Sequence, residues 1–240
     1  MQHRSNLQRA AAATITAIGT FALTAGVSGA RTPPVPSPSE LSSRVDNPYF
    51  PLAPGERWVY EGQTADGLER TVVEVLPETK RVMGTEAVVV HDTVSLEGQV
   101  IEDTYDWYAQ DRAGNVWYLG EDTHEYEHGV AINAKGAWEA GVDGAKPGIV
   151  MPAHPRAGDR YRQEHLRGVA EDRAEVLSVH ASARVPAGTY RGDVVKTNDI
   201  NPLEPDVVEH KRYAKDVGLV LEVTLSSGGE RVELIEHTTP

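Results

Sequence analysis

The chain has 240 residues, 23 lysines and arginines, 36 aspartates and glutamates and no cysteine, which gives a formal net charge of −13. Such an acidic surface repels nucleic acid and anionic lipid head groups, so we expect neither as a partner. Without cysteine the protein has no disulfide and no lipid-attachment site, so it must rely on its core alone. The charge is better explained by solubility outside the cell, and by itself it does not indicate a bound metal.

The N-terminus has the pattern of a bacterial secretory signal peptide. Arg4 and Arg9 precede the apolar residues 10–27, and the small residues 28–30 predict cleavage after residue 30. A membrane anchor is the alternative, but the stretch is short and weakly hydrophobic for a span. We therefore expect residues 1–30 to be removed and the mature protein to be secreted or periplasmic, with no stable membrane insertion.

The remaining chain divides into a spacer and one domain. Residues 31–45 are rich in proline and serine with little that is apolar, which is typical of a flexible spacer. Residues 46–240 then follow as a single all-β domain. Its opening, DNPYFPLAPGERWVYEG, has three prolines that hold the chain extended before a first strand near Arg57.

Strand patterns follow one another without a convincing helix. About a dozen short β-branched or alternating segments, separated by turn residues, predict an all-β fold, an antiparallel meander that forms a half barrel, a barrel or a sandwich. Residues 136–155 interrupt this rhythm with glycines and prolines but carry apolar residues that need burial. We expect an ordered loop that covers one end of the sheet.

The aromatic and acidic residues concentrate in a hairpin between Val100 and Gly129. Alternation predicts a strand with a largely apolar face at odd positions and a polar face at even positions, followed by a turn at residues 111–115. If Asp111 faces Asn115, Tyr108 lies opposite Tyr118 on the polar face. The same register gathers one acidic patch there, composed of Glu102, Asp106, Asp122 and His124.

This polar face is the candidate site, and its residues allow several functions. Tyr108, Tyr118 and Asp106, with Trp138 on the covering loop, would suit a small apolar or sugar-like ligand. A non-enzymatic binding protein is therefore the leading hypothesis, and a structural envelope protein is a further alternative. We expect no nucleic-acid partner, and the sequence leaves the oligomeric state open.

The acidic patch allows a second class of function. The candidate metal ligands Glu102, Asp106, Asp122 and His124 combine hard oxygens with an imidazole, which suits a divalent cation such as calcium, manganese or zinc. Asp106 and His124 could also form an acid–base pair if their surroundings separate their pKa values. No EF-hand pattern, no Gly-x-Ser-x-Gly motif and no phosphate-binding glycine loop is present, so enzymatic activity is uncertain and less favoured.

Two segments resemble a known family. The stretches VPAGTYRGDVVKT and VEHKRYAKDVGLVLEV, together with the opening of the domain, are similar to secreted bacterial proteins with a lipoprotein-carrier-like (Lol-type) half-barrel domain, many of them of unknown activity. The similarity covers about a third of the mature chain, and its motifs describe a strand–turn–strand skeleton. The resemblance implies a half-barrel fold and carries over no catalytic residue.

Overall fold

The computed structural model describes residues 33–225 and 229–240. The described part is built of antiparallel β-strands, with one short 3-10 helix at Pro38–Glu40 and no α-helix, so the predicted all-β class is confirmed. No helix among these residues has the length and apolar character needed to cross a membrane. The predicted signal peptide, residues 1–30, lies outside the described residues.

Nineteen strands make up the described part of the chain. The first nine are β1 (Leu41–Ser42), β2 (Val45–Asn47), β3 (Phe50–Leu52), β4 (Arg57–Thr64), β5 (Gly67–Val82), β6 (Thr85–Leu96), β7 (Gln99–Asp111), β8 (Val116–Glu127) and β9 (Val130–Asn133). The other ten are β10 (Trp138–Glu139), β11 (Gly148–Met151), β12 (Arg160–Arg162), β13 (Arg173–Ser178), β14 (Ser182–Val185), β15 (Gly188–Arg191), β16 (Val194–Asn201), β17 (Glu204–Ala214), β18 (Gly218–Thr224) and β19 (Glu230–Thr238).

One large sheet dominates the described structure. Its strands follow the order β10-β8-β7-β6-β5-β4-β19-β18-β17-β16-β13-β12, so two runs of consecutive hairpins meet where β19 pairs with β4. β10 and β12 remain at opposite ends of this order, and the sheet is therefore not closed into a barrel. The arrangement agrees with the expected antiparallel meander. The chain also forms two small hairpins, β2–β3 and β14–β15.

The long strand β5 contains a proline, Pro77, in its interior. Its pairing with β6 shifts register between Val75 and Thr79, so the segment that contains Pro77 bulges out of the ladder. A proline has no N–H to donate, and a bulge is one of the places where a sheet tolerates it. The β5–β6 hairpin consequently continues beyond the proline, as far as the Val82–Thr85 pair.

Part of the predicted spacer belongs to the sheet. Leu41 pairs with Asp111 and Ser42 with Gln110, which attaches β1 to the end of β7. The side chain of Gln110 also accepts hydrogen bonds from the backbone N–H groups of Asp46 and Asn47, at 3.0 and 2.9 Å. The ordered structure thus begins before the expected domain start at Asp46.

Residues 136–155, expected to cover one end of the sheet, instead extend its edge. β10 and β11 both pair with β8, and Ile149 and Met151 of β11 are fully buried. Just before β11, the Lys146 N–H donates to the His165 carbonyl at 3.1 Å. This segment is ordered, and it connects the β8 edge with the chain that follows β12.

Candidate functional site

The large sheet curls around a cavity of about 470 Å³. Strands from both of its halves contribute to the lining, which includes residues of β4 to β8 and of β17 to β19. The β2–β3 hairpin adds Phe50, Pro51 and Leu52, and the β11 segment adds Val150. A cavity of this size lies within the range that small-molecule sites occupy.

Aromatic rings form much of the cavity wall. Trp58 and Tyr60 donate hydrogen bonds to the backbone carbonyls of Val217 (2.7 Å) and Leu219 (2.9 Å). Because these polar atoms already have partners, the rings offer mainly apolar surface to the cavity. The six aromatic residues that line it are Phe50, Trp58, Tyr60, Tyr108, Tyr118 and Tyr213.

The same cavity is strongly acidic. Among the described residues, Lys211 is the one basic side chain in its lining. Seven carboxyl groups line it, namely Glu69, Asp92, Glu102, Asp106, Glu164, Asp172 and Glu222. Carboxyl groups are rarely buried unless a partner compensates them, so their position on an inner face needs a specific account.

A β-bulge decides which residues of the β7–β8 hairpin reach the cavity. Tyr108 pairs with Tyr118 as predicted, but the register then shifts and Trp107 pairs with Gly120. Gly120 has a φ of 131°, in the region that favours glycine, and a Cβ there would overlap the Trp138 carbonyl oxygen. Only glycine at this position lets β8 bulge while β10 lies directly against it.

The predicted register is therefore wrong beyond the Tyr108–Tyr118 pair. Past the bulge Asp106 pairs with Glu121 and Glu102 with Glu125, whereas Asp122 pairs with Tyr105 and His124 with Asp103. Directly paired residues share a face, and neighbouring residues along a strand do not. Asp122 and His124 consequently lie on the outer face, away from Glu102 and Asp106.

The four candidate metal ligands are thus divided between two faces. Glu102 and Asp106 line the cavity. On the outer face His124 Nδ1 lies 3.7 Å from Asp122 Oδ1, and both side chains are largely exposed. The described residues contain no group of three or more histidine, aspartate or glutamate side chains placed to hold a metal ion. The acid–base pair of Asp106 and His124 is not brought together either.

The candidate ligand-binding residues do form one contact cluster. The Tyr118 hydroxyl donates to the buried Asp106 carboxylate, and the Tyr108 and Tyr118 rings stack with centroids 4.8 Å apart. Trp138 meets Tyr118 edge-on at 5.3 Å. Three of the four residues line the main cavity, whereas Trp138 lines a smaller outer cavity beside Lys80 and Trp107.

Burial changes the pKa values of the carboxyl groups on β6, β7 and β8. It raises the pKa of Asp106 to about 7, although the hydrogen bond from Tyr118 acts in the opposite direction. Burial and the nearby Asp106 carboxyl raise the pKa of Glu121, and burial also raises that of Glu102. The pKa of Asp92 is raised well above its ordinary value by burial and by the Asp106 and Glu102 carboxyls.

Asp92 has one oxygen without a partner. Its Oδ1 atom is buried and accepts no hydrogen bond from the described residues. No lysine, arginine or histidine in the described part of the chain forms an ion pair with Asp92, Glu102 or Asp106. The wall formed by β6, β7 and β8, which we call the acidic wall, is therefore uncompensated.

The facing wall, formed by β17 and β18, is compensated. The Lys211 ammonium lies 3.4 Å from Glu222 and 3.3 Å from Glu209. Burial lowers the pKa of Lys211, but the Glu222 and Glu209 carboxylates outweigh this effect and raise it well above its ordinary value. Lys211 therefore stays charged and holds these carboxylates as an ion-pair network.

The sequence contained signals for the cavity residues that the hairpin analysis missed. Asp92 occupies an inner-face position in a strand where Val88, Val90 and Val94 share that face. Glu222 likewise follows Val220 on one face of β18. A charged residue in the apolar register of a strand is the pattern that could have identified them.

Comparisons with known proteins found similarity to solved structures alone. No protein-family model matches the chain, and no curated protein matches it. Two solved structures are similar, a candidate exported protein with a YmcC-like fold from Bacteroides fragilis and a candidate lipoprotein from Parabacteroides distasonis. Their TM-scores are 0.46 and 0.43, and each is 16% identical over 79% of this chain and 98% of its own.

Proposed function

We propose that this protein is an exported, non-enzymatic binding protein that holds a small ligand in the cavity on the inner face of its sheet. The signal-peptide pattern supports export. The observation that carries binding is the cavity itself, which is about 470 Å³ in volume and lined by six aromatic residues. Most binding sites for small molecules are concave, largely apolar and supplied with a few polar groups that fix orientation.

The arrangement of side chains supports binding rather than catalysis. Tyr108 and Tyr118 stack on each other and present ring surface that suits an apolar or sugar-like group. Asp106 accepts the Tyr118 hydroxyl and can orient a polar group of the ligand beside these rings. Histidine, the commonest general acid or base, is not among the described lining residues.

A pair of tryptophan substitutions on β5 tests whether the cavity holds a ligand. Thr71 lines the cavity, whereas its neighbour Val72 faces the opposite side of the sheet. The exported protein would be purified without detergent and extracted with organic solvent, and the extract analysed by mass spectrometry. We expect the wild type and Val72→Trp to release the same small molecule and Thr71→Trp, whose indole fills the cavity, to release none.

Two results would contradict the proposal. Recovery of the same compound from Thr71→Trp would place it elsewhere on the protein. Recovery of no compound from the wild type or from Val72→Trp would count against a retained ligand. Near-native melting temperatures for both variants are the control that the substitutions leave the fold intact.

A further inference from the structure

We propose that the ligand is an organic cation, an apolar body that carries an ammonium group, and that the ammonium group binds at the acidic wall beside Asp92. The inference rests on the proposed function, since it names the class of molecule that the cavity would take. Three features of the described residues support it: the imbalance of charge, the unpartnered oxygen of Asp92 and the adjacent aromatic rings.

Among the described lining residues Glu222 is the one carboxyl group with an ion pair, and the acidic wall gathers three of the unpaired ones. Lys211 neutralises Glu222 and Glu209 on the facing wall, at 3.4 and 3.3 Å. On the acidic wall Asp92, Glu102 and Asp106 have no basic partner among the described residues. A ligand with a positive charge supplies the missing compensation there, and an anion would meet uncompensated carboxylates.

Two lining carboxyl groups, Asp92 and Asp172, have a buried Oδ1 atom without a hydrogen bond among the described residues, and Asp92 is the one on the acidic wall. A buried polar atom without a hydrogen bond is costly, and such atoms are uncommon in folded proteins. Asp92 Oδ1 is buried and without a partner, and its side chain lines the cavity. An ammonium group donates up to three hydrogen bonds, so one N–H can satisfy this oxygen while the others reach neighbouring carboxylates.

The aromatic rings favour an organic cation over a bare metal ion. Tyr108 and Tyr118 line the cavity next to Asp106, and their stacked rings leave an aromatic surface close to the carboxylates. Ring faces attract ammonium groups and also pack against hydrocarbon. Calcium and magnesium instead require six or more oxygen ligands, and the described residues hold no cluster of acidic residues or histidines placed for a metal.

The charge states of the wall predict proton release on binding. The carboxyl groups that act on Asp92 are Asp106, Glu102 and Asp103 on β7 and Glu222 across the cavity, and Lys211 lines the same cavity. Burial raises the pKa of Asp92, Glu102, Asp106 and Glu121, to about 7 for Asp106 and about 9 for Glu121, so the titration of this wall extends to neutral pH. A bound ammonium group favours the ionised carboxylates, so binding expels protons and strengthens as the pH rises.

Three probes of matched shape test the charge requirement. Calorimetry would compare 2-phenylethylamine, 2-phenylethanol and phenylacetate, which are cationic, neutral and anionic, after any retained compound has been removed by dialysis. We expect the amine to bind at least about tenfold more tightly than the alcohol, and phenylacetate not to bind. Titration of the amine in two buffers of different ionisation enthalpy should show net proton release.

Substitutions locate the ammonium group. Asp92→Asn keeps the shape of the side chain and should weaken amine binding at least about tenfold while leaving alcohol binding unchanged. Glu102→Gln provides a second variant on the same wall, with a smaller expected loss. Asp122→Asn, on the outer face, is the matched control and should change neither affinity.

The outcomes separate this inference from the proposed function. Equal binding of the three probes, all blocked by Thr71→Trp, would overturn the cationic ligand and leave a general binding cavity. Calcium that binds and competes with the amine would show an inorganic cation site and overturn it as well. An unchanged amine affinity in both Asp92→Asn and Glu102→Gln would contradict the assigned position. Failure of all probes to bind would also overturn the inference, whereas the extraction experiment judges the proposed function separately.

Discussion

On the β17–β18 wall of the cavity the carboxylates have a cation beside them, whereas on the acidic wall they have none. Lys211 lies within 3.4 Å of both Glu222 and Glu209. Asp92, across the cavity, keeps an oxygen that no described residue contacts through a hydrogen bond. The difference indicates that the first wall is compensated within the protein, whereas the second carries the unpaired carboxyl groups on which the proposed binding of a cation rests.

Removal of Lys211 should produce the largest effect on stability. Lys211→Met leaves Glu222 and Glu209 buried without their cation, and loss of one member of a buried pair costs about 3–5 kcal/mol. About a quarter of each of these side chains is exposed, so we expect the lower end, about 3 kcal/mol. Urea unfolding at pH 7 measures the loss.

The control for this substitution is Lys215→Met, because Lys215 is exposed and has no ion pair in the described structure. That variant should stay within about 0.5 kcal/mol of the wild type. Adding Glu222→Gln to Lys211→Met should recover part of the loss. If Lys211→Met were no more harmful than Lys215→Met, the two walls would not differ in the way described.

Gly120→Ala should cost about 2–3 kcal/mol, because it combines backbone strain with a steric overlap. Gly120 has a φ of 131°, and its missing Cβ leaves room for the Trp138 carbonyl. Gly129→Ala is the matched control, since Gly129 also has a positive φ, 78°, but nothing lies within 4 Å of a Cβ there. Thermal unfolding should show about 1–2 kcal/mol for Gly129→Ala, so an equal loss in both variants would remove the steric explanation.

Unlike the substitutions of Lys211 and Gly120, Asp92→Asn should stabilise the protein, by about 1 kcal/mol at pH 8. Burial raises the pKa of Asp92 well above 3.8 in the folded state. An acid with a raised folded pKa destabilises the fold at pH values above its unfolded pKa, and the penalty disappears below it. The gain should therefore vanish near pH 3.5, as measured by urea unfolding at both pH values.

An equal gain at both pH values would show that the effect does not come from ionisation. The same substitution is expected to weaken amine binding, so one variant should raise stability and lower affinity. This opposition is typical of residues that are retained for function at the expense of stability.

In the β7–β8 hairpin the strands and the turn were predictable from the sequence, whereas the bulge was not. Its two strands and its turn could be predicted, because alternation and turn residues act locally, and the Tyr108–Tyr118 pair followed from the turn. The bulge could not be derived from the turn, because a register counted from the turn does not show an extra residue further along β8. Gly120 in the interior of β8 was the signal for it, because glycine inside a strand often marks a bulge or a close backbone approach.

The orientation of the hairpin was harder to predict than its pairing. At odd positions Trp107 and Ala109 are buried, as expected of an apolar face, but Tyr105 is 40% exposed. The polar face instead turns inwards, because strands more than a hundred residues away complete a cavity over it. A pattern of period two distinguishes two faces, and it does not say whether the polar one meets solvent or an acidic cavity.

Substitutions on the outer face should have the smallest effects. His124 and Asp122 are largely exposed, and their contact of 3.7 Å is a surface pair of the kind that contributes little. His124→Ala and Asp122→Ala should each change the free energy of unfolding by less than about 0.5 kcal/mol. Amine binding should stay within about twofold of the wild type, since neither side chain lines the cavity. A loss of binding in His124→Ala that matched the loss in Asp92→Asn would show that the ligand contacts both faces of the hairpin. That result would support the site predicted from an unbroken register, which consists of Glu102, Asp106, Asp122 and His124.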